Sequence, residues 1–201
     1  MTNNTLRRIL KQRRRHIPTL RRTIANARLT RKILQQPVFH HANFIAAYIS
    51  CRGEADPSNV LLSALSQRKT CYLPVLHPYT PRCLLFAPWT PETQMNHNQY
   101  GILEPVYTID KCIKPAFLDL VLVPLLGFDG QAHRLGMGGG YYDYTFAFRS
   151  YYQHRRKPFL LGMAFNEQYC KSFHVQPWDV TLDAVITPSR YVLGDDNIAI
   201  E

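Results

Sequence analysis

The stretch Arg134-Leu-Gly-Met-Gly-Gly-Gly-Tyr-Tyr-Asp143 follows an apolar, strand-like run over residues 118–124, with turn-forming residues between the two. Four glycines among five consecutive residues let the backbone take positive φ, so that successive N–H groups can converge on an anion. Residues 141–148 are typical of a helix start, whose partial positive charge would favour the same anion. Arg134 adds a cation, and Asp143 adds a carboxylate that suits Mg²⁺. The sequence therefore predicts a strand, a phosphate-binding loop and a helix in succession.

This loop does not fit the two most familiar nucleotide-binding motifs. A P-loop ends in Gly-Lys-Ser or Gly-Lys-Thr, whereas here two tyrosines follow Gly140. A dinucleotide fingerprint read from Gly136 and Gly138 needs glycine or alanine at the position that Tyr141 occupies. As chemistry alone, the stretch leaves two interpretations open: a phosphate-binding loop, or a tight turn packed under a helix.

The composition is typical of a single globular domain. With 201 residues, of which 46% are hydrophobic, the chain can bury a full core without disulfides or metal ions. The five cysteines are odd in number and contain no Cys-x-x-Cys pair, which favours reduced thiols and argues against a zinc site. The longest apolar run, residues 117–128, is too short and interrupted to span a membrane. We expect one monomeric, cytoplasmic domain over residues 1–201, without a secretion signal.

The net charge of +10 is concentrated near the N-terminus. Residues 1–53 hold 12 of the 24 lysines and arginines and no Asp or Glu, so the rest of the chain is close to neutral. Such a segment suggests a polyanionic partner, which could be a nucleic acid, a phosphorylated small molecule or a polyglutamylated one. A solvated helix face explains the same charge more simply.

Hydrophobic periodicity indicates alternating helices and strands. Leu6, Ile9 and Leu10 have helical spacing, and a second helical pattern follows Pro18, so two helices form a basic segment over about residues 3–35. The apolar positions of the second pattern are Leu20, Ile24, Ala27 and Leu34. Strand-like runs lie at residues 44–50, 71–76, 83–88, 118–124, 160–165 and 184–187.

This alternation predicts the fold class. Another helix opens at Pro57, and residues 90–117 form a long irregular connection of the kind that is often functional. Strands that alternate with helices favour an α/β protein. We expect a three-layer α/β/α sandwich with a largely parallel, Rossmann-like sheet.

Two loops are predicted to meet at one edge of this sheet. In an open parallel sheet, the ligand crevice lies beyond the carboxyl ends of the strands. Glu54 follows the first strand-like run and the glycine-rich loop follows residues 118–124, so both can face the same crevice. Glu54 can accept hydrogen bonds from a nitrogenous ring, or it is an ordinary solvated loop carboxylate.

The glycine-rich loop occurs together with further motifs. The strongest are Leu122-Val-Pro-Leu-Leu-Gly-Phe-Asp129 and His133-Arg-Leu-Gly-Met-Gly-Gly-Gly-Tyr-Tyr-Asp143. The supporting motifs are Leu6-Arg7, Gly53-Glu54 with Asp56, Tyr100-Gly-Ile-Leu-Glu-Pro105 and Trp178-Asp-Val-Thr-Leu-Asp-Ala184. On these motifs and their order, the sequence resembles the 5-formyltetrahydrofolate cyclo-ligase family along nearly its full length.

The resemblance implies an ATP-dependent cyclisation of 5-formyltetrahydrofolate to 5,10-methenyltetrahydrofolate, with ADP and phosphate as the other products. The γ-phosphate of ATP first phosphorylates the formyl oxygen, N10 then attacks the activated carbon, and phosphate leaves. ATP is the implied co-substrate and Mg²⁺ the implied cofactor. This chemistry needs positioning and charge neutralisation, so it is compatible with a sequence that lacks a recognisable Ser-His-Asp or Cys-His arrangement.

The resemblance also implies roles for individual residues. Arg134 and Tyr141 are the implied catalytic residues. Asp143 and Asp179 resemble the magnesium ligands, with Asp183 as an alternative to Asp179, and one or two carboxylates suffice for this ion. The implied nucleotide-binding residues are Asn3, Arg7, Arg134, Leu135, Gly136, Met137, Gly138, Gly139, Gly140, Tyr141 and Tyr142. The implied folate-binding residues are Arg7, Ile49, Glu54, Tyr100, Met137, Gly138, Gly139, Gly140 and Tyr141.

One position departs from the family pattern. The family commonly has lysine four residues before the position of Arg7, and here that residue is Asn3. A phosphate contact at this end is therefore in question, although Arg8 or Lys11 could replace the missing charge. The surplus arginines nearby could attract a polyglutamylated folate, but solvated surface is the simpler explanation.

Two other functions stay open at the level of sequence. A non-catalytic member of the same fold could bind nucleic acid through residues 1–53. We do not expect this partner, because the aromatic and basic stripe of RNA-binding motifs is missing, whereas the glycine-rich loop and both metal-type carboxylates are present. The same phosphoryl chemistry could also act on another acceptor, since a fold does not set its function.

Overall fold

A computed structural model gives the fold of the chain and describes residues 2–151 and 157–194. The helices are α1 Asn3–Arg15, α2 Thr19–Leu34, α3 Pro37–His41, α4 Ser58–Ser66 and α5 Tyr141–Phe146. The strands are β1 Phe44–Ala46, β2 Thr70–Leu76, β3 Leu84–Pro88, β4 Met95–His97, β5 Leu103–Pro105, β6 Leu120–Pro124, β7 Gly127–Phe128, β8 Arg134–Leu135, β9 Phe159–Met163, β10 Ala184–Ile186 and β11 Tyr191–Leu193. Short 3₁₀ helices cover Ile109–Lys111, Pro115–Phe117, Ala147–Tyr151 and Asn166–Gln168.

Seven of these strands form one sheet in the order β11-β10-β9-β6-β1-β2-β3. The five inner strands run parallel, and the edge strands β3 and β11 run antiparallel to their neighbours. All six predicted strand-like runs overlap a strand of this sheet. The first is shorter than predicted, because β1 ends at Ala46 and the residues after it leave the sheet.

Successive residues of the inner strands face opposite sides of the sheet, and both sides are covered. Ile45 and Leu122 pack on the side of α2, α3 and α4, whereas Ala46 and Val123 pack on the side of α5. Strands that are buried on both faces read as continuous apolar runs, which is why they were recognisable in the sequence. The prediction of an α/β/α sandwich with a largely parallel, Rossmann-like sheet is confirmed.

The predicted helix α2 is confirmed, but its apolar pattern pointed to the wrong face. Leu20 and Ile24 are 72% and 46% exposed, whereas Leu29 and Ile33 are fully buried. At 3.6 residues per turn, these two pairs lie on opposite sides of the helix. Periodicity shows which residues share a face, but the neighbouring helices and strands decide which face is covered.

Helix α1 packs on loops rather than on a face of the sheet. Leu6 and Leu10 form a small core with Leu126, Leu135 and Cys170, which lie beyond the carboxyl end of β6. This approach is close, since a Cβ on Gly127 would lie 2.6 Å from the Leu10 side chain. The basic N-terminal segment is therefore anchored beside the predicted ligand crevice.

Residues 90–117 are not wholly irregular, in contrast to the prediction. β4 and β5 form an antiparallel hairpin that pairs Met95 with Pro105 and His97 with Leu103. These strands are short and partly polar, so their sequence lacks the hydrophobic alternation that marks a strand. Within the described residues, no helix is both long and apolar enough to cross a membrane.

Candidate active site

A cavity of ≈ 820 Å³ lies at the carboxyl ends of the inner strands. Tyr48 and Ile49 follow β1, Leu76 ends β2, and Pro124 ends β6, and all four line the cavity. This is the edge at which an open parallel sheet binds its ligands. The glycine-rich loop and Glu54 also line the cavity, so the structure brings together the two loops that were predicted to meet at one edge.

The predicted catalytic, nucleotide-binding and folate-binding residues all line this cavity, and so does the predicted pair of metal ligands. The lining includes Asn3, Arg7, Ile49, Glu54, Tyr100, Arg134, Leu135, Gly136, Met137, Gly138, Gly139, Gly140, Tyr141, Tyr142, Asp143 and Asp179.

The glycine-rich loop joins the β7–β8 hairpin to α5. Gly138 and Gly140 take φ of 103° and 71°, a region that favours glycine, and Gly140 is the residue that precedes α5. The Arg134 side chain donates to Asp143 Oδ1 at 2.6 Å, and its guanidinium lies 5.6 Å from the centre of the Tyr142 ring. The loop thus leaves its backbone at the cavity wall, with a fixed cation and a carboxylate beside it.

Helix α1 forms the wall next to this loop. Arg7 Nε donates to Gly136 O at 3.0 Å, which ties the helix to the glycine-rich loop. Asn3 forms two hydrogen bonds with the backbone of His174, at 2.7 Å and 3.2 Å. The Asn3 side chain therefore joins α1 to the segment before Asp179, and its amide is already engaged in the structure.

Glu54 lies in an almost closed corner of the cavity. Its carboxylate accepts from Arg14 Nη1 at 3.2 Å and from Cys51 N at 3.2 Å, and the Glu54 side chain is only 8% exposed. Burial raises the pKa of the Cys51 thiol, and the Glu54 carboxylate raises it further. Burial also raises the pKa of Tyr48 well above its ordinary value, with the charge of Glu54 adding to the effect. Both groups are therefore neutral beside Glu54.

The β4–β5 hairpin reaches the glycine-rich loop through two tyrosines. The hydroxyls of Tyr100 and Tyr141 lie 2.8 Å apart, and their rings meet edge to face at 6.0 Å. This hydrogen bond raises the pKa of Tyr141, and burial adds to the shift. Tyr141 is thus a neutral hydroxyl that can orient a ligand but is poorly suited to act as a base.

Asp143 and Asp179 are two carboxylates at the cavity wall, and carboxylates are the side chains that Mg²⁺ prefers. The Asp143 Oδ1 atom accepts from Arg134 and, at 3.3 Å, from Val180 N, whereas Asp179 Oδ2 accepts from Gln176 N at 2.9 Å. These bonds engage one oxygen of each carboxylate, and the pair fits Mg²⁺, since this ion needs only one or two carboxylates. Among the described residues, no group of three or more His, Cys, Asp or Glu residues is arranged to hold a metal ion.

Asp183, the alternative metal ligand, lies elsewhere. It is 3% exposed, does not line the cavity, and forms a buried ion pair with Arg149 at 2.7 Å.

Comparison with known proteins places this architecture in a family. A sequence model of the 5-formyltetrahydrofolate cyclo-ligase family matches residues 1–188. The chain belongs to this family. It is 35% identical over 170 residues to the 5-formyltetrahydrofolate cyclo-ligase of Haemophilus influenzae, covering 84% of this chain and 88% of that protein. It is 33% identical over 183 residues to the enzyme of the same name from Escherichia coli K12, covering 90% and 98%.

Solved structures show that the cyclo-ligase fold extends over the chain. A solution structure of 5,10-methenyltetrahydrofolate synthetase from Aquifex aeolicus superimposes with a TM-score of 0.81 at 23% identity, covering 100% of this chain and 97% of that one. A synthetase of the same name from Mycoplasma pneumoniae gives 0.72 at 24% identity, covering 94% and 100%.

Three residues at or beside the cavity of this cyclo-ligase family member were given no role by the sequence: Asn98 and Glu104 line it, and Arg14 contacts Glu54 from outside the lining. Arg14 had a recognisable signal, because Leu6, Leu10 and Arg14 recur every four residues and so share the buried face of α1. Asn98 had none, since it lies in the turn of the hairpin that was not predicted, whereas Glu104 was part of the motif over residues 100–105 but was given no role. Glu104 accepts from Leu76 N at 3.3 Å and thereby fastens this hairpin to the end of β2.

Proposed function

We propose that this chain catalyses the ATP-dependent cyclisation of 5-formyltetrahydrofolate to 5,10-methenyltetrahydrofolate, with release of ADP and phosphate. Its family and its curated relatives carry the name of this activity. The observation that carries the proposal is one shared cavity, which is lined by a phosphate-type loop with Arg134 and Asp143 and also by Glu54. Such a cavity can hold a nucleotide and a pterin next to each other.

The nucleotide part of the site is the glycine-rich loop with its neighbours on α1. Backbone N–H groups of residues 136–140 and the Arg134 guanidinium are suited to phosphate oxygens. Arg7 lies between the loop and the cavity, where its charge can reach both substrates. Asn3 lines the same wall, so it can contribute a polar contact although it lacks the charge of a lysine.

The folate part of the site is the corner around Glu54. The pyrimidine portion of the pterin carries neighbouring N–H donors, and the lone pairs of a carboxylate are suitable acceptors for them. Ile49 supplies an apolar wall, and Tyr100 supplies an aromatic side chain from the β4–β5 hairpin. Tyr100 also contacts Tyr141, so the folate part and the nucleotide part of the cavity are joined by a direct hydrogen bond.

The proposed reaction relies on positioning and on charge stabilisation. The formyl oxygen attacks the γ-phosphorus of ATP and ADP leaves. N10 then attacks the formyl carbon and loses its proton to solvent, and the carbon–oxygen bond breaks to release phosphate. Arg134 stabilises the negative charge that develops on the transferred phosphoryl group. Tyr141 and the loop residues orient the formyl group beside it.

Asp143 and Asp179 are the residues that would hold Mg²⁺ at this site. When bound, the ion would neutralise part of the charge on the phosphate oxygens of ATP.

The sequence also predicts a monomeric state and a cytoplasmic location for this protein, and both stay predictions.

The decisive experiment follows the near-ultraviolet absorbance of the methenyl product. Purified protein is mixed with 5-formyltetrahydrofolate, MgATP, or both. We expect the absorbance to rise only when both are present, with one ADP formed per product molecule. ATP hydrolysis without this rise would refute the proposal and indicate another phosphoryl acceptor.

The exposed side of α1 suggests that the folate carries a polyglutamate chain. A second depression, of ≈ 770 Å³, is lined by Arg7, Arg8, Lys11, Arg15 and His16, with Met137 and Gly138 at its border with the glycine-rich loop. Arg7, Met137 and Gly138 also line the main cavity, so the two spaces border each other. A row of cations that begins at the substrate cavity suits an extended chain of carboxylates.

Reversing two of these charges should weaken binding of polyglutamylated substrate alone. For Arg8→Glu/Lys11→Glu, we expect the KM of a tetraglutamate form to rise about tenfold, because exposed ion pairs are worth up to about 1 kcal/mol each. The KM of the monoglutamate should stay within about twofold, since its single tail is short. The control is Arg28→Glu, which changes an exposed arginine on α2 outside both spaces. Equal losses for both substrate forms would contradict the polyglutamate proposal.

A further inference from the structure

The turn that carries Glu54 has an unfavourable backbone conformation, so contacts from neighbouring residues must stabilise it. Glu54 N donates to Cys51 O at 3.1 Å, and the two residues between them, Arg52 and Gly53, take φ of 50° and 78°. Positive φ strains a non-glycine residue such as Arg52 unless the surroundings enforce it. The side chains packed against this turn stabilise the conformation.

Two arginines from the N-terminal helices pack against the turn. Arg22 Nη2 donates to Arg14 O at 2.9 Å and to Arg15 O at 3.0 Å, so it closes the C-terminal end of α1. The same guanidinium lies 3.0 Å from the position that a Cβ on Gly53 would take. Arg22 therefore packs α1 closely against the turn, which fixes Arg14 relative to Glu54.

Arg14 is buried to an extent that is unusual for an arginine. It is 1% exposed, and it forms its ion pair with Glu54 Oε1 at 3.2 Å across 40 residues of sequence. Its Nε atom is buried without a hydrogen-bond partner among the described residues. Burying a cation in this way is costly, and a hydrophobic side chain on this face of α1 would pack at lower cost. The pair is thus better explained by what it does to Glu54.

The pair leaves Glu54 with defined acceptor capacity at the cavity. Arg14 occupies one lone pair of Oε1, whereas Oε2 accepts from both the backbone N and, at 3.5 Å, the thiol of Cys51. A carboxylate oxygen has about two acceptor positions, so Oε1 keeps capacity for a further donor. The Arg14 guanidinium thus holds the carboxylate from the side of α1, in a contact where both side chains are less than 10% exposed.

We propose that Arg14 is a positioning residue for folate, which orients the Glu54 carboxylate so that it can accept hydrogen bonds from the pterin. This inference rests on the proposed function, because it takes folate as the ligand at Glu54. The buried C-terminal end of α1 thereby takes part in substrate recognition, whereas Arg7, nearer the N-terminus of the helix, contacts the glycine-rich loop.

The test compares Arg14→Met with Arg13→Met, which removes the same charge from an exposed position of the same helix. For Arg14→Met, we expect the KM of the folate substrate to rise about 10-fold to 100-fold, as for loss of a charged hydrogen bond. The KM of ATP should stay within about twofold, because Glu54 belongs to the folate part of the cavity. Arg14→Lys, which keeps the charge, should recover part of the loss. Arg13→Met should behave like the wild type.

A double-mutant cycle separates positioning from general damage to the fold. Glu54→Gln should raise the KM of folate, and adding Arg14→Met to that variant should cause little further increase, because Arg14 acts through Glu54. Additive losses, equal increases in the KM values of folate and ATP for Arg14→Met or Arg14→Lys, or an unchanged folate KM in soluble Arg14→Met protein would overturn the inference while leaving the proposed function intact. A wild-type protein that forms no methenyl product would overturn the proposed function, and this inference with it.

Discussion

The Arg134→Ala variant is expected to lose about a hundredfold to a thousandfold in kcat, which is the usual effect of removing one preorganised group that stabilises developing charge. The Arg134 side chain is only 7% exposed, so its charge acts at short range with little screening by water. Asp143 Oδ1 fixes the guanidinium at 2.6 Å, and the Tyr142 ring packs against it, so the group is oriented before substrate binds. Steady-state kinetics of methenyl product formation at saturating MgATP and folate measure this loss.

Folding stability provides the control for Arg134→Ala. The free energy of unfolding should fall by about 2 kcal/mol or less, because Asp143 keeps a backbone donor in Val180 N and stays partly exposed. Arg28→Ala, which removes an exposed arginine of α2, should keep wild-type kcat. If Arg134→Ala retained most of its turnover, Arg134 would have no role in phosphoryl transfer, and the role that the family resemblance implies for it would be wrong for this chain.

The Arg149→Met variant is expected to lose about 3 to 5 kcal/mol in free energy of unfolding, which is the usual cost of removing one partner of a buried ion pair. Arg149 Nη2 donates to both oxygens of Asp183 at 2.7 Å, and the two side chains are 7% and 3% exposed. Leu160 N also donates to Asp183 at 2.6 Å, so this carboxylate joins the 3₁₀ helix after α5 to β9 and β10. Urea unfolding followed by circular dichroism measures the loss.

An exposed ion pair of the same protein is the matched control. Lys157 Nζ lies 2.9 Å from Asp119 Oδ1, but its side chain is 70% exposed, so Lys157→Met should cost less than about 1 kcal/mol. The double variant Arg149→Met/Asp183→Asn should be more stable than Arg149→Met, because it removes the unpaired buried charge but keeps an acceptor for Leu160 N. A cost for Arg149→Met as small as that of Lys157→Met would show that the buried pair does not stabilise the sheet.

The sequence was most informative where buried segments are continuous. The strands of the sheet were recognisable because both faces are covered, so an apolar run marks them without reference to the rest of the fold. The polar β4–β5 hairpin carried no such signal, and Tyr100 was placed near the pterin only through the family resemblance. The covered face of α2 was misread because Leu20 and Ile24 have helical spacing but are exposed on the side away from the core.

The sequence by itself determined the local chemistry of this protein: a glycine-rich loop with the needed positive φ, a cation and a carboxylate on either side of it, and a basic first helix. These features depend on neighbours along the chain, and spacing is enough to reveal them. Only the tertiary structure decided that Arg14 reaches Glu54 across 40 residues, that Tyr100 reaches Tyr141 across 41, and that Arg7 reaches Gly136 across 129. Those pairs form because packing of the helices and the sheet brings distant segments into contact, and no local pattern encodes the distance between them.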